Sequence, residues 1–258
     1  MEINVIPKFL DEAVIPLAQR AGNTLSSIWT IAFGGIDIYA EKSQLKRVHA
    51  LNQFKEELEQ AVSSIPEENI IEPPLHIVGP SLEASKYYFE NDTLRIMFAN
   101  LIAASINKET IQQAHPSFVE IIKQLSPLDA MNLALFKIKQ HYPIARYNYF
   151  FTKGQQYSTC LAHVFLENRE NMDPELNATS MSNLQRLGLV SINYEVTLSG
   201  EGIYEKYLNG PFYQQLKEEI HENNTNPKDT HVTFDDILVH KGIVELTSLG
   251  DDFIKICI

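Results

Sequence analysis

The stretch NDTLRIMFANLIAASIN, residues 91–107, constrains the fold more than any other part of the chain. On a helical wheel Thr93, Asn100 and Asn107 fall on one narrow stripe, and most of the remaining circumference is apolar. A helix that is apolar on nearly every side has to be wrapped by other elements, so the N-terminal part is expected to be a multi-helix domain. Asn91 is placed to cap this helix, and Asp92 stands where the helix dipole favours an anion. Arg95 interrupts the apolar side, projecting among Ala99, Ile102 and Ile106. An unpaired guanidinium there would be costly, so a carboxylate partner is expected, with Glu90 and Asp92 nearest in sequence. A structural ion pair is favoured over an active-site arginine, because such pairs also occur away from function.

The flanking segments agree with a helical domain. Residues 8–33 read as a helix that Pro16 bends or interrupts. From Glu41 to Ile65 the positions Leu45, Val48, Leu51, Phe54, Leu58, Ala61, Val62 and Ile65 recur at three- and four-residue steps, giving a long amphipathic helix. The proline-dense IPEENIIEPPLHIVGP that follows is expected to end that helix and cross in extended form to the next. LSSIWTIAFGGIDIYA, residues 25–40, is apolar, but it is short, carries Asp37 and contains Gly34-Gly35, whereas a membrane span needs about twenty predominantly apolar residues. It is read as a buried helix or one lying against a partner, with no stable membrane span.

AHPSFVEIIKQLSPLDA, residues 114–130, gathers a histidine, two serines and two carboxylates, which raises the question of catalysis. Ser117 and Glu120 fit the S-x-x-E capping box, in which each side chain bonds the other residue's amide. Ser126, Pro127 and Asp129 fit a second helix start. His115 remains, and a hydrogen bond closing the loop before the helix is preferred to a catalytic role for want of assembled partners.

The second half changes character. YPIARYNYFFTKGQQYSTCLAHVFL is rich in aromatic and β-branched residues around Lys153-Gly154 and reads as a hairpin or as a strand followed by a helix. In TSMSNLQRLGLVSI, Thr179 can cap a helix that Gly188 ends before a strand. GIVELTSLGDDFIKICI gives a returning strand, a Thr-Ser cap and a final amphipathic helix. Helix, strand, strand, helix is the pattern of a winged helix, here with an enlarged wing at 194–240. The predicted fold is therefore mainly α with a small β component, an α-helical domain over residues 1–125 followed by a winged-helix-like α+β domain over 126–258. The candidate recognition helix, 179–187, offers Ser180, Ser182, Asn183, Gln185 and a single cation, Arg186, where phosphate contacts demand several.

Charge bears on the same question. The net charge of −12 divides into −6 for residues 1–125 and −6 for the rest, so nucleic acid and anionic lipid are disfavoured partners. Cys160 and Cys257 form no metal or disulfide spacing, and the eight histidines are scattered without a zinc-binding pair. FGGID lacks the lysine and spacing of a phosphate loop, and SGEG lacks the strand-to-helix setting of a nucleophile elbow. No cofactor, metal or small-molecule ligand is predicted, and the start MEINVIPKFL is unlike a secretory signal, which makes the cytoplasm the expected location.

LEASKYYFENDTLRIMFANLIAASIN, followed by HPSFVEIIKQLSPLDA, resembles the bacterial Abi-alpha (abortive infection alpha) family. The likeness extends over residues 40–258 and includes the long helix, the Pro-rich crossing and the C-terminal LGLV and LTSLG elements. It implies a bacterial or prophage protein associated with phage defence. It implies no catalytic roles for Asp92, Arg95, Asn100 or His115. The expected function is non-enzymatic, through protein–protein recognition or self-assembly, with residues 25–40 and 41–65 as candidate surfaces. The rivals are a DNA-binding regulator working through 179–187 and a hydrolase or nuclease assembled from Asp92, Arg95 and His115.

Overall fold

The computed structural model describes residues 7, 9–34, 42–151, 156–225 and 233–258. The chain is mainly α with one four-stranded antiparallel sheet and divides into two compact units. One unit comprises residues 1–130 together with 251–258, the other residues 131–250.

In the first unit α1 (Pro16–Phe33) begins, rather than bends, at Pro16, the first-turn position where a missing amide costs nothing. Glu67 Oε2 accepts the Val14 and Ile15 amides at 2.9 Å each, placing a carboxylate at the positive end of the helix. α2 (Lys42–Ser63) buries Leu51, Phe54, Leu58 and Val62, all at most 3% exposed, so its apolar face is spent inside the unit. Trp29 lies 4.4 Å from Phe33 and 5.3 Å from Phe54 between ring centroids, and Phe33 reaches Phe89 at 6.4 Å, joining α1 and α2 through aromatic rings.

The Pro-rich crossing departs from expectation. Its second part folds as α3 (Leu75–Ser85), with Pro80 inside the helix. Pro80 and the residue whose carbonyl it deprives of a hydrogen bond, His76, are both exposed, so water can serve that carbonyl and the inner face of Ile77, Val78 and Leu82 stays packed. α4 (Asp92–Ser105) follows, capped by Asn91 Oδ1 on the Leu94 amide at 3.1 Å, and it is buried on most sides with Ile96 and Thr93 outward. α5 (Ser117–Ile122) and α6 (Pro127–Ala134) follow, at the two helix starts expected in this stretch.

In the second unit β1 (His141–Phe151) and β2 (Gln156–Val164) make a hairpin, deciding between the two readings of this segment; Lys153-Gly154 lies outside the described residues. α7 (Pro174–Arg186) starts a turn and more before Thr179, because Asp173 Oδ1 accepts the Glu175 and Leu176 amides at 2.9 Å each and Pro174 takes the first position. Gly188, at φ 74°, ends it in the left-handed region and releases β3 (Val190–Asn193). β4 (Asp236–Leu246) returns between β1 and β3 in the order β2-β1-β4-β3. The final helix, α10 (Ser248–Cys257), starts from Thr247, whose Oγ1 accepts the Gly250 amide at 2.9 Å and donates to the Gly188 carbonyl at 2.6 Å. A Cβ on Gly250 would stand 2.0 Å from the Leu189 carbonyl oxygen, so the glycine of LTSLG marks a close approach of backbone to backbone.

The insertion after β3 is no projecting wing where it is described. It folds into α8 (Glu205–Asn209) and α9 (Pro211–Thr225), whose Tyr207, Leu216 and Ile220 close over Ala145, Tyr147 and Ile237 on one face of the sheet. Part of its polar tail lies outside the described residues.

Candidate functional site

Arg95, only 3% exposed, makes four of the five hydrogen bonds its guanidinium can donate. Nε and Nη2 engage Glu57 Oε2 and Oε1 at 2.9 and 2.8 Å, and Nη1 reaches Asp92 Oδ1 at 2.8 Å and the Phe89 carbonyl at 3.1 Å. The Glu57 bonds are the largest cause of a guanidinium pKa raised above its ordinary value. Of the two partners nearest in sequence, Asp92 takes part and Glu90 does not; Glu90 pairs with Arg47 at 3.0 Å. Glu57, which the sequence reading did not name, flanks the apolar stripe of α2.

Asn100 Nδ2 donates to the Cys257 carbonyl at 3.1 Å, tying the middle of α4 to the last turn of α10. Burial pushes the Cys257 thiol well up, which removes its reactivity.

The capping box expected at Ser117 and Glu120 does not form. Pro116 precedes the helix in a helical conformation without a side-chain cap, and His115 supplies the acceptor instead. Its Nδ1 takes the Ser117 amide at 3.1 Å and lies 2.7 Å from Ser117 Oγ. Glu120 turns to Lys123 Nζ at 2.8 Å. The reciprocal box appears nine residues later, where Ser126 Oγ accepts the Asp129 amide at 3.1 Å and Asp129 Oδ2 accepts the Ser126 amide at 2.7 Å. Among the described residues no hydrogen bond or ion pair joins His115 to Asp92 or Arg95. The six expected residues thus fall into separate local arrangements.

In the second unit three polar features lie beyond the sequence reading. Asn132, Asn168, Asn177 and Ser180 form a buried network, in which Asn132 Nδ2 donates to Asn177 Oδ1 at 2.9 Å and Ser180 Oγ at 3.0 Å. Ser180 therefore faces inward and cannot read a base from α7. His163, at φ 60°, gives its amide to Tyr194 Oη at 3.0 Å, and its Nδ1 lies 3.1 Å from Ser182 Oγ. Arg146 stacks over Tyr194 at 4.2 Å, and burial first, then this cation, holds the His163 imidazole below its ordinary pKa.

The third feature is a cleft of about 1030 Å³ between the start of β1 and the 198–210 segment. At its wall Glu167 Oε1 meets Lys206 Nζ at 2.7 Å and Tyr207 Oη at 3.1 Å. The buried Tyr207 hydroxyl also accepts the Leu166 amide at 3.1 Å and lies 2.9 Å from the Pro143 carbonyl, which fixes this carboxylate from behind. Only the YEKY spacing of Tyr204 and Tyr207 hinted at it; Glu167 carried no sequence signal.

A comparison with protein families matches residues 46–257 to the family described as Abortive infection alpha. Searches of curated proteins and of solved structures return no match. Among the described residues no helix is long and apolar enough to cross a membrane, and no cluster of metal-binding side chains occurs.

Proposed function

The chain belongs to the Abortive infection alpha family, and on that premise we propose a cytoplasmic bacterial phage-defence protein that acts by protein recognition or self-assembly without catalysis. One observation carries the non-catalytic part of this reading: the polar groups of the motifs that resemble the family are engaged in holding backbone and neighbouring helices. Arg95 is nearly saturated, His115 and Ser117 serve each other at a helix start, and Asn100 secures a helix end. The His115–Ser117 pair resembles a base and nucleophile only in distance. The same Nδ1 lone pair is shared with the Ser117 amide, which leaves it poorly placed to take a proton from the hydroxyl.

Of the expected recognition surfaces, α2 turns Leu51, Phe54, Leu58 and Val62 inward, and residues 35–40 lie outside the described residues. The outward side of α1 supports the reading better, since Ile31 is 83% exposed and Leu17 shares its face. The direct test is phage challenge of bacteria carrying the wild type, Leu17→Asp with Ile31→Asp, or empty vector. The expected result is protection by the wild type, and its loss in the variant with unchanged circular dichroism. Full protection by the variant, combined with a strict monomer by light scattering, overturns the recognition reading; absence of protection by the wild type overturns the defence reading.

A DNA-binding alternative draws on the arrangement of α7, β3 and β4. Against it stand the inward-facing Ser180, the Arg186 guanidinium bonded to Asn183 Oδ1 at 2.7 Å, and the acidic Asp173 and Glu175 at the start of α7. Retention of duplex DNA at low salt that weakens steeply as salt rises would favour this alternative over recognition of protein.

A further inference from the structure

The cleft of the second unit has a polar edge, apolar walls and a cationic mouth. On the edge, Lys206 Nζ and the Tyr207 hydroxyl, whose one proton is shared between Glu167 and the Pro143 carbonyl, both meet Glu167 at Oε1, and among the described residues Oε2 accepts no hydrogen bond; the side chain is 18% exposed. Beside it, Lys206 Nζ spends two of its three N–H groups, on Glu167 and on the Leu166 carbonyl at 2.9 Å. The result is an adjacent acceptor and donor held in place by the buried Tyr207, complementary to a ligand edge that offers a donor next to an acceptor. Nucleobases present such an edge, and their flat faces suit walls of Pro143, Leu198 and Ile203. At the mouth stand Lys139, whose ammonium lies 5.9 Å from the Tyr142 ring centroid, and His141. No carboxylate pairs with either among the described residues, so this end suits an anion.

We infer that this cleft binds a nucleoside phosphate, its base edge on Glu167 and Lys206 and its phosphate toward Lys139 and His141. The volume of about 1030 Å³ is ample for one such molecule. This site is independent of the recognition surface on α1.

The test is calorimetric titration of the full chain with AMP, GMP, CMP and UMP, with the matching nucleosides, and with ribose 5-phosphate. At least one mononucleotide is expected to bind. Replacing Lys139 and His141 together by Ala should weaken that nucleotide about ten- to a hundredfold while leaving its nucleoside unchanged. Glu167→Gln should weaken both. Ser199→Trp, an exposed rim position that touches none of the Glu167 bonds, should abolish binding without altering thermal unfolding, and it keeps the test decisive where Glu167→Gln impairs folding. No binding of any of the four at millimolar concentration overturns the inference. So does binding that the mouth and rim variants leave unaltered, or ribose 5-phosphate binding as well as the nucleotides.

Discussion

Arg95 shows how one residue can be read from sequence and still surprise. Its place on an apolar face demanded a carboxylate, and the structure supplies two, but the bidentate one, Glu57, lies thirty-eight positions away on α2. Removing one member of such a pair strands the other near the core, so Arg95→Ala is expected to lower unfolding free energy by about 3 kcal/mol in urea denaturation. A double replacement, Arg95→Met with Glu57→Met, should recover much of that loss, since it leaves no uncompensated charge. His163 allows a prediction in pH. Its pKa lies below the ordinary value in the folded chain, so between that pKa and about 6.5 the unfolded chain binds more protons, and stability is lost as pH falls. The urea midpoint should therefore drop between pH ~7.5 and ~5.5, where ordinary carboxylates remain ionised, and the drop should shrink in His163→Asn, which also tolerates the left-handed backbone.

Elements in this chain begin and end largely where local chemistry says they should. Pro16, Asn91, Ser126, Gly188 and Thr247 act as their residue types imply. The misreadings have two causes, one local and one tertiary. At Ser117 the S-x-x-E pattern lost to a nearer acceptor, the His115 ring, and the box formed instead at Ser126 and Asp129. Ser126→Ala is accordingly expected to cost about 1 kcal/mol in thermal or chemical unfolding, and Glu120→Ala, an exposed partner of Lys123, less than about 0.5 kcal/mol. A larger effect at Glu120 than at Ser126 would mean that the capping assignment is reversed. α3 was hidden by its own prolines, because Pro80 argues against a helix unless the deprived carbonyl faces solvent, and facing is a tertiary fact.

For the whole molecule, the match to the Abortive infection alpha family begins at residue 46, leaving α1 outside it. Yet Trp29 and Phe33 pack directly on Phe54 and Phe89 and are at most 3% exposed. A chain beginning at residue 46 loses these rings and uncovers their apolar partners. It is expected to bind a hydrophobic dye and to aggregate on size-exclusion chromatography, whereas the full chain elutes in a single peak. An equally stable, dye-negative truncation would show α1 to be an accessory element. The mainly helical composition of the fold was legible in periodicity, and the small sheet in the aromatic and β-branched runs of the second half. The cleft was not, because Glu167, Lys206 and the 139–143 strand start reach it from three separate stretches of chain.

Sequence by itself determined the caps at Asn91 and Ser126, the stop at Gly188, the apolar stripes of α2 and α4, and that the chain as a whole is acidic, since these depend on neighbours within a few residues and on a simple sum of charges. Tertiary structure alone decided that Glu57 meets Arg95, that the long insertion lies down on the sheet, and that Tyr207 holds Glu167 at a cleft. Such meetings follow from how whole faces pack against each other, and no spacing along the chain encodes them.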